Sequence, residues 1–387
     1  TCGFICEHPC EARCRRNMVD DSINIRGLKR VAADFAGEVD PPQCAPDTGK
    51  KIAILGGGPG GLSAAYYLQL MGHQTTVYEM LPELGGMLRY GIPNYRLPKD
   101  RLDDDIRAIL KTGVQVKNGL KIGQDITIQQ LRQEYDVVLI TIGASTDKKL
   151  GLENEDADGI VSAVQFLRNV GKNQIMDLTG KEVAVIGGGN VSMDAVRTAK
   201  RLGAKKVSIV YRRRVADMTA LPGEIDGAVA EGIELQTLKA PSSIDVDENH
   251  HVKGIYVTPQ MVSSIRDGRA SIKPTGEEDI YIPCDVLIVA IGQNIETHHF
   301  EQAGIPVERG KIVTKSTGAF ENLPGVFAGG DCASGPASVI KAIAAAKVVA
   351  ANIDEYLGYH HEISCDVEIP EASHIQLSDV PLTADNK

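Results

Sequence analysis

Two glycine-rich turns about 130 residues apart decide what this chain can fold into. The first lies in Ile52-Ala-Ile-Leu-Gly-Gly-Gly-Pro-Gly-Gly-Leu62, where Gly56, Gly58 and Gly61 keep G-x-G-x-x-G spacing around Pro59. The second lies in Val183-Ala-Val-Ile-Gly-Gly-Gly-Asn-Val-Ser192, with Gly187, Gly189 and Asn190 in the turn and Ser192 in place of the third glycine. Each follows an apolar strand and opens a helical pattern. The first glycine permits a tight turn, the second leaves room for a pyrophosphate, and the third lets helix and strand pack closely. The phosphates then meet backbone N–H groups at the positive end of a helix. The strands that follow end differently, the first at Glu79 and the second at Tyr211-Arg212-Arg213-Arg214. A carboxylate there suits a ribose with free hydroxyls; the arginine pair Arg212 and Arg213 suits a 2′-phosphate. One chain with both sites is expected to move electrons between two nucleotides, most simply FAD at the first and NADP(H) at the second, with NAD(H) the alternative there.

The pattern repeats beyond the turns. Residues 136–143 read Asp-Val-Val-Leu-Ile-Thr-Ile-Gly and residues 285–292 read Asp-Val-Leu-Ile-Val-Ala-Ile-Gly. Both are short apolar runs closed by glycine, as a buried parallel strand requires, and both closing glycines, Gly143 and Gly292, are candidate cofactor contacts. The expected fold is α/β, with two Rossmann-like dinucleotide domains, the second inserted in the first, behind a small helical cysteine-rich segment. The boundaries read 1–48 for that segment and its linker, 49–147 with 286–360 for the FAD domain, 148–285 for the NAD(P)H domain, and 361–387 for a C-terminal extension. Residues 250–283 predict two or three antiparallel strands with turns at Asp267-Gly268 and Gly276. A helix is expected from about Pro336 to Leu357.

Further residues favour a long ligand at the first site. Gly85-Gly86 follows Glu79 closely, as though a second glycine turn cradled an extended molecule. Near the other end, Gly329-Gly330-Asp331 precedes the alanine-rich helix. Asp331 is placed to bond a ribityl chain, and the helix start near Ser338 to set positive potential on a flavin ring.

The net charge is −10, which argues against nucleic acid or an anionic membrane as partner. No apolar run is long enough for a membrane span. Four of the eight cysteines, Cys2, Cys6, Cys10 and Cys14, fall within the first fourteen residues at C-x3-C-x3-C-x3-C spacing. Pro9 forbids one regular helix through them. An iron–sulfur ligand set is the favoured reading, with a zinc site and spare thiols as alternatives. No secretory context accompanies the thiols, so a cytoplasmic location is expected. The chain opens on Thr1-Cys2 rather than Met, which reads as a segment of a longer polypeptide with further domains upstream or a separate redox partner subunit. No Cys-x-x-Cys occurs anywhere, which removes a dithiol reductase such as thioredoxin reductase despite the shared architecture.

Together these residues resemble the glutamate synthase small (β) subunit family, which includes the N-terminal part of dihydropyrimidine dehydrogenase and the large subunit of bifurcating NADH-dependent ferredoxin:NADP oxidoreductase. The matching stretches are the cysteine run, Arg26-Gly-Leu-Lys-Arg30, Gly56–Gly61, Gly85-Gly-Met-Leu-Arg-Tyr-Gly-Ile-Pro93, Arg96-Leu-Pro-Lys99, Gly187-Gly-Gly-Asn-Val-Ser-Met-Asp194, Tyr211-Arg-Arg213 and Gly329-Gly-Asp331. The resemblance covers roughly residues 1–358. It implies FAD at the first site, with Arg96 among its contacts, a nicotinamide nucleotide at the second, and two [4Fe-4S] clusters shared between two cysteine motifs, of which this chain holds one. Cys6 and Cys10 would serve one cluster and Cys14 the other, with Cys2 the weakest candidate. The chain departs from the family at Lys29, where relatives place a Glu or Gln ligand, and in its short Cys6–Cys10 spacing. The implied activity is an NAD(P)H-dependent oxidoreductase module that works by positioning, with no catalytic triad. An electron-bifurcating subunit and a non-catalytic flavin-bearing subunit are the rival readings.

Overall fold

The computed structural model describes residues 1–266 and 268–362. Asp267 of the expected turn, and the extension from residue 363 onward, lie outside the described residues.

The first unit is built on five parallel strands in the order Gln115–Asn118, Gln74–Glu79, Lys51–Leu55, Val137–Ile140 and Val326–Ala328. Ile52–Leu55 and Val137–Ile140 are wholly excluded from solvent, as expected for strands covered on both faces. Each such side chain contributes about 1.5–3 kcal/mol. One face carries helices Pro59–Leu70 and Val339–Tyr356, which pack on each other. Short turns of helix and the ribbon Val307–Glu308 with Lys311–Ile312 line the other.

The second unit repeats this plan. Its parallel order is Glu234–Thr237, Lys206–Tyr211, Glu182–Ile186, Val286–Val289 and Ile160–Ser162. An antiparallel layer of Lys239–Val246, Val252–Arg266, Arg269–Pro274 and Ile280–Pro283 covers one face. Helices Ala163–Gly171 and Asn190–Arg201 cover the other. The two sheets differ in chain order: the fifth strand comes last in the first unit and first in the second.

This pairing corrects the boundary drawn at residue 286. Val286–Val289 lies in register beside Val183–Ile186 and belongs to the second sheet, as Val137–Ile140 belongs to the first. The chain leaves the first unit at Thr146–Asp147 and returns at Gln293–Asn294. These two strands pair antiparallel and form the double connection between the units.

The N-terminal segment folds as short turns, Cys2–Ile5 and Pro9–Ala12, followed by helix Ile25–Phe35. His8 adopts a left-handed conformation (φ 39°) just ahead of Pro9, which divides the cysteine run. Helix Ile25–Phe35 places Ile25, Leu28, Ala32 and Phe35 at helical spacing, yet Leu28 and Phe35 are exposed. The 37–49 linker docks on the first unit, where Ala45 N–H donates to Leu70 O and Thr48 N–H to Gly72 O. No helix among the described residues is long and apolar enough to cross a membrane.

Candidate functional site

The first glycine turn is shaped by contacts that exclude side chains. Gly56 has φ +110°, and a Cβ on Gly61 would lie 1.9 Å from Gly56 O. Gly86, at φ +51°, presses on Gly58, where an added Cβ would come within 2.7 Å of Gly58 Cα. Gly85 N–H also donates to Gly57 O at 2.8 Å, so the two glycine turns interlock. A Cβ on Gly58 would touch only Gly86 Cα, at 3.8 Å, so no other group occupies the side where a pyrophosphate would sit. Glu79 is buried and accepts from Gly57 N–H at 2.7 Å and Leu81 N–H at 2.8 Å. Burial raises its pKa against those two donors.

These residues open onto a cavity of about 320 Å³. Gly56, Gly58, Pro59, Glu79, Gly86, Arg96, Gly143, Asp331 and Ser338 all line it. Asp331 is half-buried, and desolvation pushes its carboxyl up to about 6, with the Ala337 N–H working the other way. Ser338 makes no side-chain cap to the helix Val339–Tyr356, so that helix start faces the cavity with N–H groups to offer. Interlocked turns, an open face at Gly58 and a facing helix start together fit a dinucleotide lying extended across the sheet.

Residues from outside the first unit close this cavity. Arg168, Asn190, Val191, Asp194 and Leu221 reach in from the second unit, and Ile5 and Glu7 from the N-terminal segment. Arg96 lines the wall, but its guanidinium is already engaged: Nη1 reaches both Asp194 oxygens at 2.9 and 2.8 Å, and Nε sits 3.1 Å from Glu224. Sequence reading assigned Arg96 to the cofactor and overlooked Asp194 and Glu224. The usable signal was the helical spacing of Asn190, Asp194, Arg197 and Arg201. Gly292 lies outside the cavity, against Lys148 at the end of the connecting ribbon, where φ +133° favours glycine.

The second turn lies outside the cavity except at Asn190. Gly187 lies within reach of Ala290 O, and Gly188 sits against the Tyr211 ring. Gly188 O accepts from Thr219 and Ala220 N–H, and Asn190 Oδ1 accepts from Leu221 N–H at 2.9 Å, which fixes residues 219–224 beside the turn. Arg214 is bound to Asp217, whose carboxyl that guanidinium holds well below the usual range. Arg213 Nε donates to Ala270 O, leaving its terminal nitrogens unengaged among the described residues. Arg212 is exposed, with no hydrogen-bond or ion-pair partner among them. Arg212 is exposed, Gly189 and Arg213 are half-buried and Gly187 is buried, and none of the four lines the cavity; of the second-site residues named from sequence, only Asn190 reaches it.

The thiols do not converge. Cys2 and Cys10 are exposed, Cys14 is half-buried, and Cys6 is buried with its Sγ accepting from His8 N–H at 3.3 Å. Among the described residues the only three potential ligand atoms within 4.8 Å of one another belong to His73, Asp354 and His361. No three of the Cys2, Cys6, Cys10 and Cys14 thiols lie within 4.8 Å of one another, so they make no single-ion tetrahedral centre such as zinc requires. Backbone N–H groups, that of Ile23 foremost, lower the Cys14 thiol pKa. Lys29 is exposed.

With this geometry in place, likeness to known proteins fixes the class. Residues 50–346 match the pyridine nucleotide-disulphide oxidoreductase family, and the chain belongs to it. Over 92% of its length it is 38% identical to NADP(+)-dependent formate dehydrogenase subunit beta of Moorella thermoacetica, covering 54% of that protein. It is 33% identical to the glutamate synthase [NADPH] small chain of Escherichia coli over 92% of its own length and 80% of the relative's. The chain thus spans about half of the first relative and most of the second. Among solved structures, Mycobacterium tuberculosis FprA in complex with NADPH superposes with a TM-score of 0.67 at 21% identity, covering 81% of this chain and 85% of FprA. Thioredoxin reductase of T. acidophilum shares the fold at a TM-score of 0.58 and 20% identity, covering 79% and 98%. No Cys-x-x-Cys, the spacing of thioredoxin-type redox dithiols, occurs in the chain.

Proposed function

We propose that the chain is the NADPH-oxidising module of a larger redox assembly, taking a hydride from NADPH at the second unit onto FAD at the first. The observation that carries this reading is the single cavity lined by both units, with Gly58, Asp331 and Ser338 on one side and Asn190, Asp194 and Leu221 on the other. FAD would supply the conversion of a two-electron hydride into single electrons. The chain's own residues bind and orient. Gly58 and the helix start at Pro59 would hold the pyrophosphate, Glu79 the ribose, Asp331 the ribityl hydroxyls, and Gly187 to Asn190 with Arg212 and Arg213 the pyridine nucleotide. The apolar walls, among them Ile92, Ile142, Val191 and Leu221, keep water from the site.

Electrons would leave through the N-terminal segment towards iron–sulfur centres or a partner subunit. Ile5 and Glu7 line the cavity on either side of Cys6, so the cysteine segment touches the wall of the flavin site. As the family resemblance implies clusters shared between two cysteine motifs, other polypeptide would furnish the remaining ligands. A cytoplasmic setting suits free thiols and a pyridine-nucleotide donor.

Anaerobic addition of NADPH to FAD-loaded protein should bleach the visible flavin band faster than NADH does. A flavin that neither nucleotide reduces would overturn the reading in favour of a non-catalytic flavin subunit.

A further inference from the structure

A polar stripe on helix Asn190–Arg201 meets a loop of the first unit. Asn190, Asp194, Arg197 and Arg201 recur at three- and four-residue spacing and so share one helix face. Asp194 grips Arg96, with the two side chains only 5% and 9% exposed. Glu224 of the following helix, Pro222–Ala230, lies 3.1 Å from Arg96 Nε and 2.7 Å from Arg197 Nη1. Arg197 and Arg201 both bind Glu231. The Tyr95 ring has the guanidinium carbons of Arg197 and Arg201 at 4.9 and 4.2 Å from its centre. Three arginines thus meet three carboxylates, and two adjacent residues of the first unit, Tyr95 and Arg96, are held by two helices of the second.

The buried Arg96–Asp194 pair at its centre is a poor source of stability, since desolvation offsets most of the attraction, but removing one partner leaves an uncompensated charge. Its consequence is geometric. Helix Asn190–Arg201 starts at the second glycine turn, where the pyridine nucleotide is expected, and its fifth residue is fastened to Arg96 in the wall of the flavin cavity.

We propose that Asp194 and Glu224, through Arg96, are positioning residues that fix where the pyridine nucleotide's reactive carbon falls against the flavin. The inference rests on the function proposed above. A near-attack geometry is sensitive to displacements of about 1 Å, which cost on the order of 100-fold in rate. The fork of Arg96 matters as well as its charge, because a lysine cannot hold two carboxylates at once in that plane.

The test uses the full chain with D194N, E224Q, R96K and the exchange R96D/D194R. In the FAD-loaded variants the expected result is unchanged flavin content and near-unchanged half-saturation by NADPH. The limiting rate of flavin reduction should fall roughly 10- to 100-fold in D194N and R96K, and several-fold in E224Q. The exchanged pair should recover part of the loss. In the unloaded protein, hydrogen exchange should quicken in residues 93–98 and 219–224 and stay unchanged in helix Pro59–Leu70. Limiting rates within twofold of the parent, with exchange unaltered, would overturn the inference. So would R96K losing flavin while D194N behaves as the parent, because Arg96 would then be a flavin contact alone. Should D194N fail to fold, E224Q, whose carboxylate is more exposed and shared with Arg197, decides by the same two readouts. A parent protein that NADPH cannot reduce would defeat the proposed function, whereas the exchange comparison would still report on the clasp.

Discussion

The two glycine turns descend from one plan and are finished differently. In the first, the middle glycine, Gly57, faces Glu79; in the second, Gly188 faces the Tyr211 ring. The first is locked by Gly85-Gly86 and faced by the start of helix Val339–Tyr356, so its ligand would lie enclosed. The second carries its cations outside the cavity, on Arg212 and Arg213. An enclosed cradle suits a cofactor that stays, and an open one a coenzyme that arrives, reacts and leaves. The clasp at Arg96 joins the two, so the second site would still deliver its ligand to a fixed place.

The largest expected effect breaks the comparison at the third glycine. Gly61→Ala places a methyl group 1.9 Å from Gly56 O, a backbone atom that cannot move without opening the turn. The variant should be destabilised by about 1–3 kcal/mol and should purify without flavin. Ser192, at the matching position, already carries a buried side chain whose Oγ has no hydrogen-bond partner among the described residues. Ser192→Ala should change stability by less than about 1 kcal/mol. Thermal denaturation and flavin content check both; equal sensitivity at the two positions would show that the turns do not differ in closeness of packing.

Local features were legible in the sequence and long-range ones were not. The strands Lys51–Leu55 and Glu182–Ile186, the helices after them and the paired runs at 137–140 and 286–289 follow from apolar runs and glycine placement, signals carried within a few residues. The boundary at 286 went wrong because both units end on the same D-V-x-x-x-x-I-G pattern, and only strand pairing tells which sheet a given copy joins. Arg96 and Asp194 are 98 residues apart, and nothing local marks them as partners. Each taken alone looks like an ordinary polar residue near a cofactor motif.

The next effect separates the nucleotides. Arg212→Ala removes an exposed guanidinium with nothing else to hold, so stability should stay level while NADPH loses its advantage. A charge-assisted hydrogen bond contributes about 1.5–3 kcal/mol, which corresponds to roughly 10- to 100-fold in affinity. Arg213→Ala should show a similar loss with a lower melting temperature as well, because Nε also holds Ala270 O. Titrating both variants with NADPH and NADH checks this; equal weakening towards both nucleotides would place the arginines away from a 2′-phosphate.

The smallest effect is a pH dependence confined to the enclosed site. Burial pushes the Asp331 carboxyl up to about 6 in the unloaded protein. The sign follows from linkage. A carboxyl whose folded pKa is raised contributes stability that is fully present below its ordinary value and is lost as pH rises through about 6. A ribityl hydroxyl donating to Asp331 would favour the ionised form and pull that value down again. Flavin should therefore bind a few-fold more tightly as pH climbs from about 5 to about 7, while the unloaded fold loses a little stability over the same window. Asp331→Asn removes the titration and should flatten both trends. Flavin dissociation constants and melting temperatures measured across that range check the pair of slopes. If affinity stays level in the parent while its melting temperature falls, Asp331 is a buried acid beside the flavin path with no bond to it.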